Sequence, residues 1–374
     1  MNRLSVIDLF SGVGGLSLGA ARAGFKVAGS VELDPIASAS HAFNFPATKH
    51  LCEDVSSLTG ARLLEACGLK TDKLAGLIGG PPCQGFSFIG KRDQSDPRNL
   101  LFGQFFRLVA ETRPAFFVAE NVPGILRKEN ARIIEAAMSQ LPPIYHVLSP
   151  IKIRASDYGA PTIRTRVFFV GFDPSLVDTL TVDLFKPDAN TEKVMVKHAL
   201  RGLPDVSADW QLEKQSWRTV KALEGSNFAE RVVGHVPKGV GNREAILLAS
   251  KRKVSGFLGT RHNEETIARF DTLAPGEVDI VYRAPRLDPE GFCPTLRAGT
   301  NADKGSFQAV RPIHPKKPRV ISPREAARLQ GFPDWFVFHP TKWHAFRQIG
   351  NSVSPIVAEL LLSKIAQAMA RMPR

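Results

Sequence analysis

A cysteine stands in the stretch GGPPCQGFSF (79–88), behind two prolines and between glycines, just past the apolar run LAGLI. A thiol attacks as its thiolate. Cys83 has turn formers for neighbours in place of packing partners, which makes it the candidate nucleophile. The prolines and glycines fix the path of its backbone. Glu120, in AENVPG, ends the apolar run PAFFVAENV. If these runs are strands of an open α/β sheet, Cys83 and Glu120 both fall at its carboxyl edge, where such sheets place their sites. A helix or turn cap is the plainer alternative for Glu120. Arg164 and Arg166, in TIRTRVFF, precede a further apolar run and can reach in from its start. Otherwise they are two surface cations.

A second group of residues has the pattern of a nucleotide-like site. DLFSGVGG (8–15) reads as a strand, a glycine-rich turn and a helix start. Glycines there let a ligand approach the backbone and the helix N-terminus. Alone, the pattern fits a tight structural turn equally well. Glu32 adds to it, because it ends the next strand about 20 residues on, where a carboxylate accepts from ribose hydroxyls. Asp54, in CEDVSS, follows another apolar segment and can meet the same ligand. Together they favour a small adenosine-containing cofactor.

The elements that must hold these groups are legible in the hydrophobic pattern. Strands are expected at 4–10, 25–33, 74–80, 114–122 and 166–172, and helices at 14–24 and 99–112. Alternation of this kind predicts a doubly wound, mostly parallel sheet with helices on both faces. From about Pro174 to Arg319 the chain becomes irregular, rich in Pro, Gly and basic residues, with no repeat. Order returns at SPREAARLQGFP (322–333), where Ser322, Pro323 and Glu325 form a helix-start signature. A last amphipathic helix at 354–372 puts Ile356, Val357, Leu360, Leu361 and Ile365 on one face, with the first domain's sheet as the surface to cover.

Composition bounds the rest. A chain of 374 residues, 43% hydrophobic and 23% charged, is in the globular range and long enough for two domains. No apolar run approaches the roughly 18 residues of a membrane span. The start MNRLSVIDLF leads straight into a strand, so neither a cleaved signal nor a membrane is expected, and the cytoplasm is the expected location. The four cysteines are scattered, which supports neither a disulfide framework nor a metal site. Cys52 and Cys67 read as small core residues. Lys and Arg outnumber Asp and Glu by 49 to 36. Residues 1–175 hold 19 basic against 15 acidic groups, which leaves 30 against 21 for the rest. A basic second half suits a polyanion such as nucleic acid, or is simply a solvated surface.

The chain resembles the DNA cytosine-5 methyltransferases of prokaryotic, restriction-modification type. DLFSGVGG, VELD, GGPPCQGFS, AENVPG, IRTRVFFVG, SPREAARLQGFP and QIGNSVSP carry the resemblance, in the family's order. It implies a Rossmann-like S-adenosylmethionine-dependent fold, with 1–175 as the catalytic and cofactor domain completed by 345–374. Residues 176–344 match the smaller target-recognition domain by position, with weaker echoes at CPTLRA (293–298) and IHP (313–315).

By resemblance, Cys83 adds to cytosine C6 and makes C5 nucleophilic, which is covalent catalysis. Glu120 serves the ring nitrogen N3, for which its carboxyl must at some point be protonated, as burial favours. Arg164 assists at the pyrimidine carbonyl, with Arg166 beside it. Phe10 stacks on the adenine, and Ser11, Gly12 and Gly14 lie against the amino-acid tail. Glu32 holds the ribose and Asp54 the adenine amine, while Pro82, Asn351 and Val353 complete the wall. No metal is implied. The partner is double-stranded DNA, whose target base must be flipped out, and a restriction endonuclease is a functional partner to expect. A monomer is expected. Lys251, Arg252, Lys253, Lys316, Lys317 and Arg319 are candidate phosphate contacts. Thr162 stands where the family usually has Gln, which puts one supporting hydrogen bond in doubt. An RNA cytosine methyltransferase and a non-catalytic DNA-binding relative are the competing readings. The Cys-Phe-Thr tripeptide of the former is absent, and the latter should lack Cys83 or Glu120.

Overall fold

The computed structural model describes residues 4–82, 100–206, 217–298 and 311–371. Cys83 lies outside them. The apolar runs of the first half become β1 (Ser5–Leu9), β2 (Lys26–Val31), β4 (Leu74–Gly79) and β5 (Phe116–Asn121), with a short unforeseen strand, β3 (Lys49–Leu51), between β2 and β4. These five are parallel, in the order β3-β2-β1-β4-β5. Two short strands, β6 (His146–Val147) and β7 (Ile151–Arg154), pair antiparallel with one edge of β8 (Thr165–Phe172), whose other edge pairs antiparallel with β5. The sheet is therefore mostly parallel and doubly wound, as the alternation predicts.

Side-chain alternation along each strand divides the core in two. In β5, Phe116 and Val118 join one buried cluster, while Phe117 and Ala119 join the other. The second cluster takes its cover from α3 (Gly60–Ala66) and α4 (Leu100–Thr112), with α5 (Ala131–Met138) alongside. The first cluster is covered by α1 (Gly15–Arg22), while α2 (Pro35–Asn44) leads from β2 into β3.

The stretch that reads as irregular contains short helices: α6 (Val196–Leu200), α7 (Asn227–Val233), α8 (Arg243–Ser250) and α9 (Glu264–Thr272). Ser226, Asn242 and Asn263 accept backbone N–H groups at the starts of the last three, a local preference that overrides weak periodicity. A small antiparallel pair, β9 (Arg218–Thr219) and β10 (Lys253–Val254), lies among them. Then come α10 (Pro323–Gln330), α11 (Lys342–Asn351) and α12 (Pro355–Arg371). Phe228, Leu287, Phe332 and Trp335 from this half share the buried cluster of α1 and α12.

α12 packs along α1, with the Glu359 carboxylate 3.7 Å from Arg22, and its Ile356, Val357, Leu361 and Ile365 share the buried cluster that holds Phe116, Val118 and Phe168 of the sheet. One expectation is corrected. Cys52 is exposed and lies 3.7 Å from the Leu33 carbonyl, whereas Cys67 is buried, as expected. The span Lys342–Arg371 has the length and hydropathy of a membrane crossing, a signal the sequence reading missed. However, 56% of its apolar window is buried in the fold, and residues 352–354 separate α11 from α12.

Candidate active site

The carboxyl ends of β1, β2, β4 and β5 open into a cavity of about 930 Å³. β1 and β4 are neighbours, and the chain leaves β1 for β2 on one side and reaches β4 on the other. Such a reversal opens a crevice above the strands.

The turn after β1 is held by its own backbone geometry. Phe10, Gly12 and Gly14 all take positive φ, at 56°, 54° and 100°. Only glycine enters that region freely, so Phe10 is strained. Glu32 fixes the turn from the end of β2, accepting from Gly12 N and from Asp34 N, both at 2.8 Å. Burial raises its carboxyl above the usual range, and these two hydrogen bonds oppose the rise. α1 starts without a side-chain cap and without an acid in its first turn, which suits an anion at its N-terminus, although the Ser17 backbone already serves the Asp8 carboxylate. A Cβ on Gly15 would collide with Ser352 Oγ and Val353 O. This close approach carries Asn351 and Val353 into the cavity wall.

The opposite wall is the catalytic candidate. Glu120 Oε1 is 2.8 Å from Arg166 Nε, an ion pair between β5 and β8 with both side chains largely buried. Arg164 is buried, donates Nη1 to the Leu296 carbonyl at 3.1 Å and keeps an unpartnered Nε. Burial lowers its basicity, with Arg166 adding to the effect and Glu120 opposing it. Asn121 Nδ2 donates to the Pro81 carbonyl at 3.4 Å. The segment Gly80–Pro82 is thereby brought beside Glu120, and all three residues line the cavity.

Nearly all the residues singled out by sequence meet here. Phe10, Ser11, Gly12, Glu32, Asp54, Pro82, Glu120, Arg164, Arg166, Asn351 and Val353 line one cavity. Gly14 is not in its wall. Its left-handed φ and the rings of His41 and Phe45 beside it make it a turn and packing residue. Asp54 also caps the short turn after it, accepting from Ser56 N at 2.8 Å. Cys83 falls outside the described residues.

The cavity wall also takes in residues to which the sequence assigned no site role, some of them in the CPTLRA echo. The CPTLRA segment is pinned to Pro161–Ile163 by Cys293 N donating to Pro161 O at 2.9 Å and Ile163 N donating to Cys293 O at 3.0 Å. Thr295, Leu296, Arg297 and Ala298 thus enter the cavity wall. Thr162 is fully buried and its hydroxyl has no partner, in keeping with the doubt raised by its identity. Asp8 and Ser11 border the cavity with buried, unpartnered oxygens, as a site shaped for a polar ligand would show. The phosphate candidates divide. Lys251, Arg252, Lys253 and Lys316 are exposed. Lys317 pairs with Asp205 at 3.2 Å, and Arg319 holds the capping carboxylate Glu325 at 2.8 Å. Arg319 is therefore a structural cation, which corrects its assignment.

Comparison with known proteins gives a consistent result. The profile of the C-5 cytosine-specific DNA methylase family matches residues 4–367. Type II methyltransferase M.XorII of Xanthomonas oryzae pv. oryzae is 40% identical over 380 residues, spanning 100% of this chain and 87% of its own. Type II methyltransferase M.DdeI of Desulfomicrobium norvegicum is 32% identical, over 97% of this chain and 88% of its own. Among solved structures, a candidate DNA modification methyltransferase encoded within a prophage (E. coli) superposes with a TM-score of 0.89 at 50% identity, covering 98% of this chain and 100% of the other. The S. pombe Dnmt2 methyltransferase shares the fold, with a TM-score of 0.61 at 15% identity over 98% of this chain and 99% of its own.

Proposed function

From the premise that this chain belongs to the C-5 cytosine-specific DNA methylase family, and is a DNA cytosine-5 methyltransferase of restriction-modification type, we propose its chemistry in detail. It transfers a methyl group from S-adenosylmethionine to C5 of a cytosine in a short, defined sequence of duplex DNA. The observation that carries this reading is the single cavity joining the glycine turn and Glu32 on one wall to Glu120, Arg164 and Arg166 on the other.

S-adenosylmethionine supplies an electrophilic methyl on a sulfonium centre. Phe10 offers an aromatic face for the adenine, Glu32 an acceptor for the ribose and Asp54 one for the adenine amine. The start of α1, with Ser11 and Gly12, receives the amino-acid end, and Pro82, Asn351 and Val353 close the wall. The orphaned oxygens of Asp8 and Ser11 fit such a polar tail.

The thiolate of Cys83 forms a bond to C6 of a cytosine flipped out of the duplex, and the C5–C6 π pair becomes available at C5. Glu120 faces N3, where electron density grows, and Arg166 orients its carboxyl. Arg164 donates toward the pyrimidine carbonyl. Once C5 carries the methyl group, loss of its proton to a base re-forms the double bond and expels the thiolate. Residues 1–175 with 345–374 perform this chemistry, and 176–344 read the DNA.

Mapping methylated cytosines in DNA from cells that express the protein tests the reading. Methylation at one short sequence is expected. Methyl transfer to a structured RNA and to no duplex DNA would overturn it.

A further inference from the structure

Asp8 is wholly buried at the edge of the cavity. One of its oxygens, Oδ2, accepts from Ser17 Oγ at 2.6 Å, while Oδ1 has no partner. Ser17 Oγ lies 3.0 Å from His41 Nε2, and His41 Nδ1 lies 2.9 Å from His50 Nε2. Ser17 and His41 are buried, and His50 is partly exposed. β1, α1, α2 and β3 each contribute one group, and together they form an unbranched hydrogen-bonded chain from the cavity to the surface. Methyl transfer as described above makes no use of Ser17, His41 or His50.

The hydrogens along such a chain constrain one another. Ser17 has one O–H. When Asp8 is ionised that O–H points to the carboxylate, so His41 presents Nε2–H to Ser17 and accepts at Nδ1 from His50 Nε2–H. A solvent proton that joins His50 Nδ1 can then pass inward by three transfers. His50 Nε2 gives its proton to His41 Nδ1, His41 Nε2 gives its own to Ser17 Oγ, and Ser17 Oγ gives its own to Asp8. One proton has been gained, Asp8 is neutral and His50 is neutral again. His41 has changed tautomer.

We infer that Ser17, His41 and His50 are positioning residues for the cofactor cavity, a relay through which solvent sets the charge on Asp8 and thereby the preference for the cationic methyl donor over its neutral product. This rests on the S-adenosylmethionine reading. The donor carries a sulfonium and S-adenosylhomocysteine does not, while their other groups are alike. A carboxylate in a dry wall favours the cation, and a neutral acid does not. Glu32, just past β2, adds a like charge, and Arg347 on α11 faces Glu32 and Asp34. On the β4 side, Asp8 meets only Ile78 in the strand register. Burial keeps His41 neutral, with His50 beside it contributing, as a relay requires. Burial also lowers the basicity of His50, against a main-chain hydrogen bond at Thr48. Burial pushes the Asp8 carboxyl up to about 7, against the Ser17 hydrogen bonds.

Calorimetric affinities for S-adenosylmethionine and S-adenosylhomocysteine, from about pH 5.5 to about pH 8.5, test the inference on the full chain. The donor-to-product affinity ratio should rise at least about fivefold with pH in the native protein and stay flat in Asp8→Asn. In Ser17→Ala the inflection should move to higher pH, because the carboxylate loses its donor. Nitrogen-15 NMR of ligand-free protein should show His41 exchanging Nδ1–H for Nε2–H over the same range, which packing alone would not produce. A flat ratio in native protein that binds both ligands overturns the inference. The same slope in Asp8→Asn, or a single His41 tautomer throughout, does so too. If neither ligand binds, the cofactor reading itself fails, and the NMR signal distinguishes that case because it needs no ligand.

Discussion

Glu120 and Arg166 meet at 2.8 Å, and replacing the acid alone isolates its chemical role. Glu120→Gln keeps the shape but removes the charge pair with Arg166. Methyl transfer should fall by about 100-fold or more, with cofactor affinity within about twofold. Unchanged turnover would remove Glu120 from the mechanism. Asp8 makes a separate prediction about stability. Its carboxyl sits at about 7 in the fold, raised mainly by burial, so the folded chain holds that proton more tightly than the unfolded chain. This contribution is complete below about pH 4 and is lost as pH rises to about 7. The stability difference between the native protein and Asp8→Asn, read from urea midpoints, should therefore shift against the native protein over that interval. A constant difference would contradict the assignment. Cys83, Glu120 and Glu32 were legible in the sequence because turn formers and strand ends mark them. The relay was not. Ser17 is nine residues from Asp8, and His41 is 24 from Ser17, so only the packing of α1 and α2 against the sheet reveals that they touch.

α10 shows what a motif can do beyond touching substrate. Arg328 is fully buried and pairs with Asp334 at 2.6 Å, while also donating to the Arg201 carbonyl at 2.7 Å. Arg324 donates to the carbonyls of Ser255, Pro333 and Phe336. The two arginines rivet two distant segments, at Arg201 and Ser255, and the stretch just after α10 to one helix. Arg328→Ala should destabilise the protein by about 3–5 kcal/mol, because Asp334 is left buried without its partner. A loss below about 1 kcal/mol in chemical denaturation would show that the pair is dispensable. The start of α10 was readable from Ser322, Pro323 and Glu325, which form the capping box expected. The burial of its arginines was not, since an Arg in a helix normally reads as surface. In the same way, the helices between 227 and 272 announce themselves by their Asn and Ser caps more than by any apolar stripe.

Over the whole molecule, basic charge and reactive groups lie in different parts of the sequence, so reading and chemistry should be separable. Exchanging about 185–310 for the matching segment of a relative with another target should redirect methylation, as sequencing of modified cytosines would show. An unchanged target would refute the division of labour. DNA affinity should fall roughly tenfold or more between about 50 and 200 mM salt if several phosphates are neutralised. A flat salt response, read by fluorescence anisotropy, would deny the basic surface that role. The central claim is that Cys83 attacks a cytosine in DNA, and trapping tests it most directly. Duplex DNA carrying 5-fluorocytosine at the target, incubated with S-adenosylmethionine and the protein, cannot lose its C5 substituent as a proton, so the adduct should persist. Peptide mass spectrometry should find the nucleotide on Cys83, with no adduct formed by Cys83→Ala. An adduct on Cys52, Cys67 or Cys293, or methyl transfer sustained by Cys83→Ala, would contradict the account.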